Sequence, residues 1–430
     1  MIYKIRPVEN PHPIRVSVPG SKSITNRALL IAALANGRSI LEGVLFSDDS
    51  RHFIDALIRL GFPVDVDEEN KKVAITGFGG KVPCDDKTVD VGSAGTAARF
   101  LTAYLGLSEG KYHMVSSEQM KKRPMQELLE ALSLLGAKIK YDEKEFHFPF
   151  TISNPKILGN EVTIDVDKSS QFLSALLISS VLFENGLTIN VVGSHGMAYV
   201  HMTIKMMETF GVRVDYLSCE DTDYTGRFYI QGGQHYNALD YKIEPDLSAA
   251  CYFYAMSPLL KVPVVVNGVY KPSLQGDIAF LDVLSDMGCA IYEGDDITVI
   301  PPEDGIIKGG RWDLSSFSDQ TLTLAAIAPF ADSKVEITNV GHIRLQECDR
   351  INAIIGNLSG MGIEAFEKDG NITILPGNPK AAEIETYDDH RVSMSFSLPG
   401  LICDGIVIKD PYCCRKTFEN YYEVLEKAVY

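Results

Sequence analysis

A single tryptophan, no Cys-x-x-Cys pair and a shortage of positive charge mark this 430-residue chain. Its eight cysteines (84, 219, 251, 289, 348, 403, 413 and 414) have no metal-ligand spacing. The vicinal pair Cys413-Cys414 is poor geometry for an ordinary disulfide, so these residues read as buried or idle thiols. None of the nine histidines has a partner one helical turn away, and no structural metal is expected. No apolar run approaches the roughly 18 residues of a membrane span. The opening MIYKIRP lacks the apolar core of a secretion signal, and a cytoplasmic location is expected. With 40 Lys and Arg against 57 Asp and Glu, the net charge is −17, which repels nucleic acid and anionic lipid surfaces. Neither is an expected partner.

What is present is the composition of an ordinary globular protein, 45% hydrophobic and 23% charged, at a length suited to two or three domains. A pattern recurs along it: an amphipathic helix running into glycine, then a strand, a polar turn and a second strand. It reads FIDALIRLG, LLEALSLLG, IKMMETFG, LDVLSDMG and IGNLSGMG, closing at Gly61, Gly136, Gly211, Gly288 and Gly362, spaced 75, 75, 77 and 74 apart. Each glycine suits the left-handed position that ends a helix. The segment after it, such as VDVDEENKKVAITG, reads as a hairpin.

A second helix start recurs at nearly the same period, before ALLIAALA, AARFLTAYL, FLSALLISS, AACYFYA, TLTLAAIA and VSMSFSL, which makes six units. The last helix, from Phe418, ends the chain before its hairpin appears. The strands read in residues 2–18 are expected to complete that sixth unit. Three units per domain then predict a continuous domain at 20–235 and a discontinuous one of 1–19 plus 236–430. The chain would cross between them twice, and a cleft between the lobes is the expected ligand site.

The helix starts carry the chemistry. In the first half they are small, polar or basic: Gly20-Ser21-Lys22-Ser23, Gly92-Ser93-Ala94-Gly95-Thr96 and Lys168-Ser169-Ser170-Gln171. Unpaired N–H groups and the positive dipole end at such places suit phosphate or carboxylate, although plain capping accounts for Ser and Thr there too. Gly20-Ser21-Lys22 is not a Walker loop, because Arg15 stands where its first glycine belongs. Lys121-Lys122-Arg123 before Pro124, and Arg415-Lys416 before Thr417, put cations where a helix dipole repels them. An anionic ligand would offset that repulsion at Arg123 and Lys416, whereas Lys121 and Lys122 read as solvated. In the second half Asp246, Asp319 and Asp389 suit N-caps; Asp319 could also hold hydroxyls or move a proton. Arg344 to Arg350 alternates charge and reads as a salt-bridged helix start or a binding segment.

Taken in order, Pro19 to Ala28 (PGSKSITNRA), Gly95-Thr96-Ala97-Ala98-Arg99, Arg123-Pro124, Ser169-Ser170-Gln171-Phe172, Glu347-Cys348-Asp349-Arg350, Asp389-His390-Arg391, Asp410-Pro411 and Lys416-Thr417-Phe418 resemble the 5-enolpyruvylshikimate-3-phosphate synthase family along essentially the whole chain. The resemblance implies an α/β (α+β) fold, a two-domain inside-out α/β barrel with three βαβαββ repeats per domain. It implies transfer of the carboxyvinyl group of phosphoenolpyruvate to the 5-hydroxyl of shikimate 3-phosphate, in aromatic amino-acid biosynthesis, without cofactor or metal. By the same resemblance Ser23, Arg27, Ser169, Ser170 and Gln171 hold shikimate 3-phosphate, with Tyr199 beside its ring and Asp319 and Gln346 near its hydroxyls. Phosphoenolpyruvate lies against Lys22, Gly95, Arg123, Gln171, Arg350, Arg391 and Lys416. Asp319 and Glu347 carry protons, with Lys22 assisting and His390 nearby. A monomer is expected.

The chain departs from the family in having Gln346 where lysine is usual, which leaves a hydrogen-bonding group without charge. His342 and Ser93 replace frequent asparagines, and the segment Ser194 to Tyr199 is longer than usual. Two alternatives remain at this point. The sister carboxyvinyltransferase acting on UDP-N-acetylglucosamine usually carries a reactive cysteine before the position of Arg123, and residues 111–123 contain none. A catalytically silent scaffold of the same fold rests on Gln346 alone.

Overall fold

The computed structural model describes residues 2–220 and 222–430. Its strands form six sheets, five of four strands and one of three, and helices join them into a mixed α/β architecture. One repeat shows the construction. Glu161–Asp165 lies parallel to Leu187–Val192, which pairs antiparallel with Gly226–Ile230, and Asp215–Tyr216 closes the edge. In register, Val162 faces Ile189 and Ile189 faces Phe228. The parallel step needs a crossover, supplied by the helix Gln171–Ser179, whereas the hairpin needs only a turn.

The crossover helices are buried on every side: every residue of Gly95–Gly106, Leu247–Tyr254, Thr321–Ile327 and His390–Ser395 is buried, the polar ones included. The glycine-terminated helices are one-sided. In Asp48–Arg59, Phe53, Ile54 and Leu57 go inward while Asp55, Ile58 and Arg59 stay at the surface. Burying each such large apolar side chain contributes about 1.5–3 kcal/mol. The five repeat glycines all have positive φ, from 77° at Gly362 to 106° at Gly288, the conformation that stops each helix and turns the chain into its hairpin.

The chain divides into two compact units, Gly20–Ile243 and Met1–Pro19 with Glu244–Tyr430. The second crossing falls at Ile243 rather than near residue 235, because Asp240–Lys242 pairs parallel with Asn36–Glu42 and supplies the first strand of the first repeat. The N-terminal strands separate. Ile2–Lys4 pairs antiparallel with Ile406–Lys409 in the sixth repeat, while Ile14–Val16 pairs parallel with Val264–Val266 in the fourth. The C-terminal helix starts at Tyr421, not Phe418, after the 3-10 turns of Pro411–Lys416. No helix among the described residues is long and apolar enough to cross a membrane.

Candidate active site

Within Gly20–Ile243, the helix Lys22–Leu34 starts at Ser21, whose hydroxyl accepts from the Ile24 N–H at 3.4 Å. Lys22 is its first residue, with Nζ 3.6 Å from the Asp49 carboxylate. Arg27, about one turn on, is 3% exposed. Its Nε donates to Thr203 Oγ1 at 2.7 Å, Nη1 to the Ser23 carbonyl at 2.9 Å, and Nη2 to the Tyr199 carbonyl at 3.1 Å and Ser174 Oγ at 3.5 Å. The guanidinium lies over the Phe100 ring at 5.4 Å. All these partners are neutral, and burial pulls the Arg27 pKa down to about 10. A buried cation held only by neutral acceptors is a place for an anion.

The helix Gly95–Gly106 has no side-chain cap at Ala94. Arg99 bends back to donate to the Gly95 carbonyl at 3.0 Å and the Pro124 carbonyl at 3.1 Å. The Arg123 guanidinium packs on the bare Cα of Gly95: a Cβ there would meet Arg123 Nη1 and stand 2.6 Å from Arg99 Nη1. Arg123 Nε is buried and finds no hydrogen-bond partner among the described residues. The helix after Arg123 begins at Gln126, so Pro124 lies in the turn ahead of it. Gln171 opens its own helix; its Nε2 donates to Thr96 Oγ1 at 3.4 Å and its Oε1 is buried without a hydrogen-bond partner among the described residues. Ser169 Oγ accepts from the Gln171 N–H at 3.3 Å, and buried Ser170 lies against Gly196, the left-handed residue (φ 63°) opening the helix that carries Tyr199. Lys121 pairs with Glu118 and Glu143, and Lys168 with Glu127. Thr203, Ser174 and Asp49, which set Arg27 and Lys22, were not singled out from the sequence.

In the other unit, the three aspartates at equivalent repeat positions do different work. Asp246 caps Leu247–Tyr254, accepting from the Ala249 N–H at 2.9 Å, and Asp389 caps His390–Ser395, accepting from the Arg391 N–H at 2.9 Å. Asp319 is not the N-cap residue of the helix that follows it, a place taken by Gln320. The chain there forms a 3-10 turn, Ser318–Gln320, and the carboxylate meets Arg350 Nη1 at 3.0 Å and Arg391 Nη2 at 2.7 Å.

Arg350, 1% exposed, is the hub of this cluster. Its Nε meets Asp389 at 2.8 Å, its Nη2 meets Glu347 at 2.9 Å, and Nη1 also donates to Gln346 Oε1. Burial disfavours its charge, but Asp389, Glu347 and Asp319 more than offset that, and its proton is held well above the ordinary arginine range. Gln346 therefore serves as a neutral acceptor for Arg350, a role the ammonium of lysine cannot fill. Arg344 turns to Asp349 and Glu367. The α-helix starts at Arg350 and the preceding 3-10 helix ends at Leu345, so Arg344 to Asp349 is not one continuous helix face. His390 is buried, with Nδ1 3.9 Å from Asp389, and Arg391 Nη1 donates to the Tyr252 hydroxyl at 3.3 Å. Lys416 Nζ donates to the Asp388 carbonyl at 2.7 Å and carboxylate at 3.0 Å. His342 Nε2 lies 2.8 Å from Ser318 Oγ, and Asp277, also unremarked in the sequence, lies buried beneath the turn of Asp319. One unit thus offers buried Arg27 and Arg99 on neutral acceptors and Lys22 beside Asp49, and the other a network of two guanidinium groups and three carboxylates.

Comparison with known proteins adds the following. A family model described as EPSP synthase (3-phosphoshikimate 1-carboxyvinyltransferase) matches residues 9–425. The chain is 42% identical over 416 residues to the 3-phosphoshikimate 1-carboxyvinyltransferase of Trichormus variabilis, covering 96% of each chain. It is 40% identical over 421 residues to that of Nostoc punctiforme, covering 97% of each. The solved EPSP synthase of Acinetobacter baumannii superposes with a TM-score of 0.82 at 22% identity, over 100% of this chain and 98% of that one, a likeness of two-lobe fold.

Proposed function

Starting from the fact that this chain belongs to the EPSP synthase family, we propose the roles its residues play in turnover. The enzyme transfers the carboxyvinyl group of phosphoenolpyruvate to the 5-hydroxyl of shikimate 3-phosphate and releases phosphate. The substrates bring two phosphates and two carboxylates, so an acidic protein must concentrate cations where they bind. In this reading Ser23, Arg27, Ser169, Ser170 and Gln171 hold shikimate 3-phosphate. Tyr199 lies beside its ring, and Asp319 and Gln346 take its hydroxyls. Lys22, Gly95, Arg123, Gln171, Arg350, Arg391 and Lys416 receive phosphoenolpyruvate.

Asp319 removes the 5-hydroxyl proton as the oxygen attacks C2 of phosphoenolpyruvate. Glu347 delivers a proton to C3, with Lys22 assisting and His390 a further candidate, and the tetrahedral adduct then expels phosphate as C3 returns a proton to the Glu347 carboxylate. The observation that carries this reading is Asp319, whose carboxylate meets two arginines at the repeat position where Asp246 and Asp389 cap their helices. The enzyme is further proposed to act as a cytoplasmic monomer.

Two variants test the binding assignments. Arg27→Met removes charge-assisted hydrogen bonds of about 1.5–3 kcal/mol, which raises KM for shikimate 3-phosphate roughly 10- to 150-fold. The ligand-free protein keeps or gains thermal stability, because a buried charge without an anion is replaced by an apolar side chain. An unchanged KM contradicts the assignment. Gly95→Ala drives its methyl into Arg123 and Arg99. Pushing Arg123 off its rotamer costs about 0.5–1.5 kcal/mol, so KM for phosphoenolpyruvate rises about two- to twelvefold. If steady-state kinetics show instead that only KM for shikimate 3-phosphate moves, Arg123 has been placed on the wrong substrate.

A further inference from the structure

Beneath the turn that carries Asp319 lies a carboxylate for which the mechanism above has no role. Asp277, 2% exposed, follows Gln275-Gly276 in the 3-10 turn Gly276–Ala279. Its Oδ1 accepts from Gln320 Nε2 at 2.6 Å and from Ser248 Oγ at 3.0 Å, and its carbonyl faces Cys251 Sγ at 3.7 Å. Gln320 is the neighbour of Asp319 and is held from its other end by Thr323 at 2.9 Å. Gln275 fastens the same segment, accepting from the Leu247 N–H at 3.0 Å and donating to the Pro245 carbonyl at 2.8 Å. The titratable and charged groups around Asp277 are Asp246 and Cys251 from the Leu247–Tyr254 helix and its cap, Asp319 from the Ser318–Gln320 turn, and Arg391 from the His390–Ser395 helix.

Asp319 presents a difficulty that Asp277 resolves. Two guanidinium groups within 3.0 Å favour its ionised form and weaken it as a base. A second anion close by works the other way, raising the proton affinity of Asp319. We propose that Asp277 is a positioning residue for the family reaction: through Gln320 it fixes the turn that presents Asp319, and its buried negative charge restores the basicity that Arg350 and Arg391 remove. Asp277 neither gives nor takes a proton in the step; the hydroxyl proton goes to Asp319. Burial, and then the negative charge of Asp319, push the Asp277 carboxyl up to about 6, so its anion is present at neutral pH and fades below it. This inference rests on the assignment of Asp319 as proton acceptor.

The test is the pH dependence of kcat, from phosphate release at saturating phosphoenolpyruvate and shikimate 3-phosphate, for the parent and Asp277→Asn. Asparagine keeps the shape and an acceptor for Gln320 but carries no charge. KM for both substrates stays unchanged, kcat above pH 7 falls about tenfold, and the two profiles converge below about pH 6, where Asp277 of the parent takes up its proton. A constant ratio at every pH indicates a purely structural residue and overturns the inference, as does superposition of the profiles. Gln320→Leu is the second variant, needed if Asp277→Asn does not fold. Losing a hydrogen bond to the anion raises the Asp277 pKa further, and the kcat profile moves to higher pH; an unmoved profile again overturns the inference. Asp319→Asn separates the two failures. If it retains turnover, the assignment of Asp319 is wrong; if it is inactive while Asp277→Asn runs parallel to the parent, the proposal for Asp277 alone is wrong.

Discussion

Asp319→Asn is expected to lower kcat by about 10²- to 10⁴-fold, the range over which a positioned proton acceptor acts. Asparagine retains an oxygen for Arg350 or Arg391 but cannot take a proton from the 5-hydroxyl, so the loss falls on kcat and much less on either KM. The side chain is 18% exposed, and the ion pairs it loses leave Arg350 still engaged by Asp389 and Glu347, so the fold survives. Phosphate release in single turnover, alongside a thermal melt, distinguishes loss of chemistry from loss of structure. Turnover within a few-fold of the parent would remove Asp319 from the mechanism and return it to the status of its two capping counterparts.

Arg350→Met carries the largest expected effect on stability. It leaves the Asp389 carboxylate, 0% exposed, without its guanidinium partner. Breaking a buried pair from one side costs about 3–5 kcal/mol, because the remaining charge has neither water nor a counter-ion. That is a large fraction of the roughly 5–15 kcal/mol that holds a typical folded protein together. Urea unfolding of the variant is expected to show the deficit. Arg350→Met combined with Asp389→Asn recovers much of it, since asparagine can still cap the Arg391 N–H while the stranded charge is gone. If the double variant is no more stable than the single one, the cost lies in packing around Arg350 and the electrostatic account is wrong.

The architecture was legible because it repeats. A helix stopped by glycine every 75 residues or so fixes the unit, and the positive φ at all five glycines is the physical reason that pattern exists. The strand Asp240–Lys242 was not legible: three residues show no periodicity, and they are ordered by pairing with Asn36–Glu42, some two hundred residues away in the chain. The split of the N-terminal strands between the fourth and sixth repeats escaped notice for the same reason.

At the site, residue type and position located the basic helix starts of one unit and the acidic ones of the other. They could not tell which of the aspartates meets arginine, because Asp246, Asp319 and Asp389 share a residue type and a repeat position. The local backbone differs, winding as a 3-10 turn at Asp319, where the carboxylate meets both Arg350 and Arg391. Asp277 was invisible for a related reason. It sits in a short 3-10 turn without amphipathic pattern, and the role proposed for it depends on Gln320 and Asp319, both distant in sequence.

The central claim is the reaction itself, and phosphate release by the purified protein tests it most directly. Phosphoenolpyruvate is supplied with shikimate 3-phosphate in one assay and with UDP-N-acetylglucosamine in another. Release with the shikimate compound alone is the predicted result, and it would also establish that Gln346 sustains turnover where the family usually has lysine. Release with the sugar nucleotide alone, or silence with both, would contradict the account, the first by making the chain the sister transferase and the second by making it a scaffold.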